Sequence, residues 1–551
     1  MKKVLVIILL ISGLLVRAAN TYVATVANGG SDVTGTGTIG SPWATPKYGI
    51  EHTASGDTCF IGAGTFVISL PIGPPPGVCI KGVDTTSTIF NVTYTASGAI
   101  AIYSAGIING NHHISNIKFV GNGTAYNAIH ITRRSKVIIE KCSFHNFKYG
   151  AVYAFDGYDD IANSPAIDSI DVINCQFVDC SRYLSAGSYG AIWHRGVSDF
   201  KILNTTAIAN YIPGDSAGFL LKASRMRNVR VSGCTLMVHG HDDGAKWAFA
   251  VEYNHNLGGT QFDSCRVQGV MDFAGNVCYK GPYAYSLWIH HCHIGHDSYS
   301  TRYQDGIYLE NYALDASMSM SDVILEDNQM TYLTRGVIFM KAALGIQSQF
   351  KRIRMQRNAI TNIGMDVSGS YGWGVTWLGN GGAFEDVFLY NNTITAASIP
   401  TRSQLVGVNI PVSNSTVNNW RMANNIITGF DNAPVFTDGS FPTGTITNLY
   451  SQNNLMYQNG NSNEPKWWGV QPTGFTNTGV IKADPLFDVS GNYRLQELSP
   501  AVNAGLNVGL PYLGPAPDIG AYEYVSPAEI VKRLGKVNGF LGKYNNKIGR
   551  Y

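Results

Sequence analysis

Apolar and polar residues alternate along this chain in short runs, and no long stretch follows the 3.6-residue period of a helix. Ten segments share one pattern: a strand, a small polar residue at a bend, then a second short strand. They begin with KVIIEKCSFHN at 136, DSIDVINCQFVDC at 168 and FKILNTTAIAN at 200, and end with NNWRMANNIITGF at 418. The bend residues are Cys142, Cys175, Thr205, Cys234, Cys265, Cys292, Asn328, Asn358, Asn392 and Asn425. Their spacing of roughly 27 to 36 residues lies in the range that marks stacked repeats.

Between successive bends recurs another strand, often opened by glycine: GAIWHRG, GFLLKAS, AFAVEYN, DGIYLEN, GVIFMKA, GVTWLGN and VGVNIPV. One coil of about three short strands cannot bury its apolar face alone, but stacked coils pairing in parallel about 4.8 Å apart can. The pattern predicts an all-β, single-stranded right-handed parallel β-helix of ten or more coils over residues 20–525, the hand following the usual crossover preference. Residues of about 20–110 form its N-terminal cap region and about 480–525 its closing region. A basic, glycine-punctuated tail occupies 526–551.

Composition narrows the function. Of 551 residues, 45% are hydrophobic and 14% charged, and the net charge of +2 gives no field for nucleic acid. The first nineteen residues, MKKVLVIILLISGLLVRAA, read as a secretory signal, and no later run is long enough to span a bilayer. The expected location is outside the cell or on its surface. Nine cysteines in an exported chain suggest disulfides, but most sit in the bend column, where a small buried thiol stacks as asparagine does. Cys59 and Cys79 lie outside that column and are the disulfide candidates; Cys180 and Cys278 have no evident place.

Both ends resemble secreted pectate-lyase-like β-helix proteins. The opening carries Tyr22-Val23, Gly30-Ser31-Asp32, Ser41 to Thr45, Gly56-Asp57-Thr58 and Gly64-Thr65-Phe66, and the close carries DPLF at 484, SPAVNAG at 499 and PDIGAYEY at 517. The resemblance implies the β-helix fold. That superfamily includes lyases, hydrolases, epimerases, tailspikes and adhesins, so it does not select an activity. Of the NTD, DD, GHG and RIK motifs of polygalacturonases, only Asp242-Asp243 has a counterpart.

Aligning the glycine-opened strands on their first residue puts His194, Lys222, Glu252, Lys280 and Glu310 in one outward column, with Arg195, Tyr253 and Asn311 at the next position. Uronate-cleaving lyases of this superfamily work on such an outer face. They need a cation against the substrate carboxylate, a base for the adjacent C–H and an acid for the leaving oxygen. The expected catalytic residues are Lys222, Lys280, His194 and Arg195, and the expected sugar contacts are Tyr253, Tyr308, Asn311 and Arg302. Glu252, Glu310, Asp242 and Asp243 are the expected Ca²⁺ ligands. His290, His291 and His293 alternate faces on a strand and so form no ligand set, and zinc is not expected. The reading is a polysaccharide lyase acting on an acidic polymer, monomeric in that case. Its competitor is a non-catalytic glycan-binding surface protein, trimeric if it resembles a tailspike. In that case outward Tyr253, Tyr308 and Tyr283 stack on sugar rings. A third possibility is an inert structural β-helix whose charged column is a plain salt-bridge ladder of exposed pairs, each contributing ~0 to 1 kcal/mol.

Overall fold

The chain turns its corners on single residues with left-handed backbone. In the computed structural model the residue before each bend residue has positive φ: Lys141, Asn174, Asn204, Gly233, Ser264 and His291, then Asp327, Arg357, Asn391 and Asn424. Asn, Asp and Gly dominate because they tolerate that conformation best. Each such corner ends one short strand and starts the next. The result is a parallel β-solenoid of about ten turns, as the repeat pattern predicts. The structure describes residues 20–526, apart from 156–166, 182–189, 211–218, 240–248, 257, 279–281, 297–304, 312–318, 342–347, 365–371, 379–381, 399–403, 412–414, 439–444, 468–470 and 472–473.

The chain forms two compact units. One comprises Met1–His296, Arg302–Val323 and Ala342–Ile346, and the other comprises Asp297–Thr301, Ile324–Lys341 and Gln347–Tyr551. In the first, the helix Pro46–His52 covers the opening strand Thr21–Val23. Thr45 caps it by accepting from the Tyr48 amide. Asp32 of the GSD motif holds the start of this helix, accepting from the Ala44 amide at 2.7 Å and the Thr45 hydroxyl at 2.6 Å. The opening motifs are therefore structural.

The corner column of the first unit is a ladder of thiols. Cys175, Cys234, Cys265 and Cys292 each donate to a backbone carbonyl one coil earlier, for example Cys234 to Ile202 O at 3.3 Å. Burial raises the Cys175 thiol to about 12, so it stays protonated and inert. Cys180 fills a further corner, donating to Phe144 O at 3.6 Å. Cys59 and Cys79 are both free thiols, against the disulfide expected of them. Cys59 pairs in register with Ile80 and Cys79 with Thr58, so the two side chains leave their adjacent strands on opposite faces. Inside, rings stack coil on coil: Phe119 on Phe144 at 5.1 Å and Phe144 on Phe177 at 4.6 Å.

In the second unit asparagine occupies the same corner. Asn358, Asn392 and Asn425 are each bonded to the asparagine of the next coil at 2.9–3.0 Å and to a carbonyl of the coil before at 2.8–2.9 Å. The closing segment does more than end the stack. It runs back over the outer face of the strands Ala359–Ile363, Thr393–Ala396, Ile426–Thr428 and Leu455–Tyr457. Leu495, Ala501 and Ile519 pack on Ile426 and Leu455 there. The Ala521 amide donates to Thr393 at 2.9 Å, and Tyr522 reaches Gln329 at 3.3 Å.

Candidate functional site

Register along the parallel strands of the first unit fixes which residues share a column. Ile129, Val152, Ile192, Leu221, Val251, Met271 and Ile307 line up one per coil and are buried. The next residue of each strand forms the neighbouring column, outward at His130, Tyr153, Trp193, Lys222, Asp272 and Tyr308, with the backbone of residue 252 in register between Lys222 and Asp272. Two residues further on runs a second column, outward at Tyr103, Thr132, Phe155, Arg195, Ser224 and Glu310, with the backbones of residues 254 and 274 in register between Ser224 and Glu310. The face changes along its length from aromatic to charged.

At the aromatic end the Tyr103 hydroxyl meets His130 Nδ1 at 3.0 Å. Tyr153 stacks on Trp193 with ring centres 4.5 Å apart and planes 27° apart. These rings look at one another along the column and so present their rims outward. Burial lowers His130 to about 4, so it is neutral at physiological pH. The Arg195 guanidinium lies over the Phe155 ring, 5.2 Å from its centre. Lys222 is half-buried in the next coil, in register between Trp193 and Glu252. The described residues thus bring Lys222 and Arg195 onto one face, in adjacent columns.

The register corrects the sequence alignment twice. His194 was expected outward beside Lys222, but its strand is shifted by one residue, and Trp193 pairs with Lys222 instead. A one-residue slip flips the face. His194 is 0% exposed, packs edge-on against Phe200 at 4.5 Å, and has no hydrogen-bond partner for either ring nitrogen among the described residues. It cannot reach a substrate on the outer face. Glu310 was expected in the Lys222 column, but its strand is shifted by two, which keeps the face and moves it one column over, beside Ala274. Tyr308 takes the place in the Lys222 column, and Asp272 takes the one expected of Lys280.

DGIYLEN, Asp305–Asn311, is buried throughout. Tyr308, 3% exposed, donates its hydroxyl to the Asp305 carboxylate, and Glu310 is 5% exposed. Asn311 is fully buried and takes the inward phase of the strand. Tyr308, Glu310 and Asn311 are therefore not open to a polymer as expected. The backbone of Tyr253 stands in register with Ala223 and Phe273. The side chains of Glu252 and Tyr253, and the whole of Lys280, Arg302, Asp242 and Asp243, lie outside the described residues.

Sequence reasoning missed Asp272, Trp193, Tyr153 and His130. Asp272 was overlooked because its strand Val270–Cys278 follows Arg266–Gln268 with only Gly269 between them, while the alignment sought a glycine further on. Apolar-polar alternation in VMDF carries the signal.

His194 gives a pH test. Burial lowers its pKa to about 3, against about 6.5 in an unfolded chain. Between these values the unfolded state binds the proton and the folded state does not. His194's contribution to stability is thus whole above about pH 6.5 and is lost as pH falls towards 3. His194→Leu is expected to flatten that acid slope, sparing on the order of a few kcal/mol by pH 4. Denaturant titrations at pH 4 and pH 7.5 check it, and equal slopes for both proteins would refute it.

No protein-family model matches the chain, and no curated protein matches it in sequence. Solved structures similar to it include the A-module of mannuronan C-5 epimerase AlgE4 from Azotobacter vinelandii. It is 11% identical over 83% of this chain and 100% of that one, with a TM-score of 0.39. Bacteriophage CBA120 tailspike protein 3 is 13% identical over 82% of this chain and 62% of its own, at 0.38. Pectin methylesterase PemA from Erwinia chrysanthemi is 12% identical over 56% and 88%, at 0.30. None of these likenesses reaches the level from which an activity is inferred.

Proposed function

We propose that this is an exported carbohydrate-active β-solenoid that holds an acidic polysaccharide along the outer face of its first unit and cleaves it by β-elimination. One observation carries the reading: the outward column passes from rings to charge, from Tyr153 and Trp193 to Lys222 and Asp272, with the backbone of Glu252 in register between the last two. Rungs about 4.8 Å apart fall near the length of one sugar unit in an extended chain. Ring rims and the stem of Lys222 offer apolar contact, and the cations of Lys222 and Arg195 pair with uronate carboxylates.

In the elimination a base takes the proton from the carbon beside the carboxylate. That electron pair forms a C=C bond, and the adjacent C–O bond breaks as its oxygen accepts a proton. Lys222 is the cation that pairs with the uronate and acidifies its C–H. Asp272, one rung from Glu252, is the proton carrier. The two carboxylates also offer the oxygen donors that suit Ca²⁺, which would supply further neutralising charge. Export rests on the first nineteen residues, and among the described residues no helix is long and apolar enough to cross a membrane.

A second reading, a non-catalytic glycan-binding protein, draws on the burial of Asp305–Asn311, which leaves the charged end of the column short. Incubation with polyuronates and glycosaminoglycans, with Ca²⁺ or with chelator, separates the two. A rise in ultraviolet absorbance from the unsaturated product is expected with one polymer. Binding without that rise, on a glycan array, would replace the lyase by the binder.

A further inference from the structure

A second cluster lies away from that face, at the thiol-ladder corner of the first unit. Asp263 and His290 are in register on the strands Thr260–Asp263 and Leu287–His290 of adjacent coils. On a straight strand His290 and His291 would diverge. His291 instead occupies the left-handed corner position, φ 53°, and this turns its ring back beside its neighbour. The Nδ1 atoms of His290 and His291 lie 2.8 Å apart, and His290 Nδ1 lies 3.5 Å from Asp263 Oδ1. All three donor atoms fall within 4.8 Å of one another.

The surroundings orient the donors as ligands are oriented in metal sites. His290, 7% exposed, stacks on Trp288 with centres 4.0 Å apart. Its Nε2 lies 2.7 Å from the amide nitrogen of Gln261. A half-turn of that amide, which exchanges its nitrogen and oxygen, puts an acceptor on Nε2–H and leaves the Nδ1 lone pair for the cluster. Ser232 donates to Asp263 Oδ2 at 3.2 Å and Arg230 lies 3.8 Å from it, so Oδ1 is the atom turned to the histidines. Ser264 also donates to Oδ1 at 2.8 Å, leaving one lone pair there. Cys292 is engaged inward, at 3.6 Å from Phe262 O, and is not a ligand. Donors on a tetrahedral ion at about 2.0–2.1 Å stand roughly 3.3 Å apart, which a small ring rotation reaches.

We propose that Asp263, His290 and His291 form a site for a borderline divalent cation of the Zn²⁺ and Ni²⁺ class, clamping two successive coils. Two imidazoles and one carboxylate suit such an ion and leave a fourth position for water. The site is independent of the polysaccharide reading and needs no activity for its test. Untagged, chelator-treated full-length protein is titrated with Zn²⁺ by calorimetry, and its melting temperature is followed with and without the ion. One equivalent should bind and raise the melting temperature. His291→Ala, at an exposed position, and Asp263→Asn should each weaken binding at least tenfold and abolish the shift, with far-ultraviolet circular dichroism unchanged. Absence of stoichiometric binding, or binding that survives both substitutions, would overturn the proposal. If His291→Ala unfolds the chain, Asp263→Asn alone decides.

Discussion

Lys222→Ala is expected to lower kcat/KM on the cleaved polymer by about a hundredfold or more, the range for losing a group that stabilises charge in the transition state. Asp272→Asn should cost about as much while leaving KM near its original value, because a proton carrier acts mainly in the chemical step. Lys222 differs in that it also binds the ground-state carboxylate, so part of its loss should appear in KM. Lys201 is the control: it lies on another strand, its exposed amine 3.8 Å from the partly buried Asp171, and Lys201→Ala should leave kcat and KM unchanged. Steady-state kinetics on the three variants decide. Full activity in both Lys222→Ala and Asp272→Asn would remove the outer column from the mechanism.

Asn392→Ala should destabilise the second unit by about 3 kcal/mol or more. Asn392 is fully buried. Its amide donates to Asn425 at 2.9 Å and to Met355 O at 2.9 Å, and its carbonyl accepts from the Asn358 side chain and backbone at 3.0 Å each. Truncation strands partners on both sides at once, and each buried orphan costs about 1–3 kcal/mol. Stacked repeats are stabilised by their neighbours, so the damage should spread to adjacent coils rather than stay at one. Cys265→Ala occupies the equivalent corner and should cost far less, because a thiol is a weak donor at 3.5 Å. Guanidinium titrations of both variants give the comparison, and equal losses would mean that the ladder bonds contribute little beyond packing.

These two sites also mark what the sequence revealed. The corners were legible because one side chain does the work: Asn and Cys recur where a ladder needs a small buried donor. The fold followed from their spacing. The face was less legible because a glycine opens a strand without fixing its pleat. Gly190 pairs with Phe219 rather than Gly218, and that slip alone turned His194 from a surface base into core. The Asp272 strand hid behind a connection of one residue. His290 and His291 were assigned to opposite faces by strict alternation, which a single left-handed residue cancels. Register between coils, which decides each of these cases, is set by the loops between strands, and their lengths vary from coil to coil.

The closing segment has a consequence for how the protein comes into being. A ribosome delivers the chain from the N-terminus, so the strands holding Ile426 and Leu455 exist before Leu495 and Ile519 have been made. At ~5–20 residues per second, that leaves an apolar sheet face bare for seconds in every nascent molecule. A message cut short in this interval yields stacked coils with a naked flank, prone to pair with a second unfinished copy. Cover for that flank therefore comes only from residues made after the strands they protect, Leu495 to Ile519.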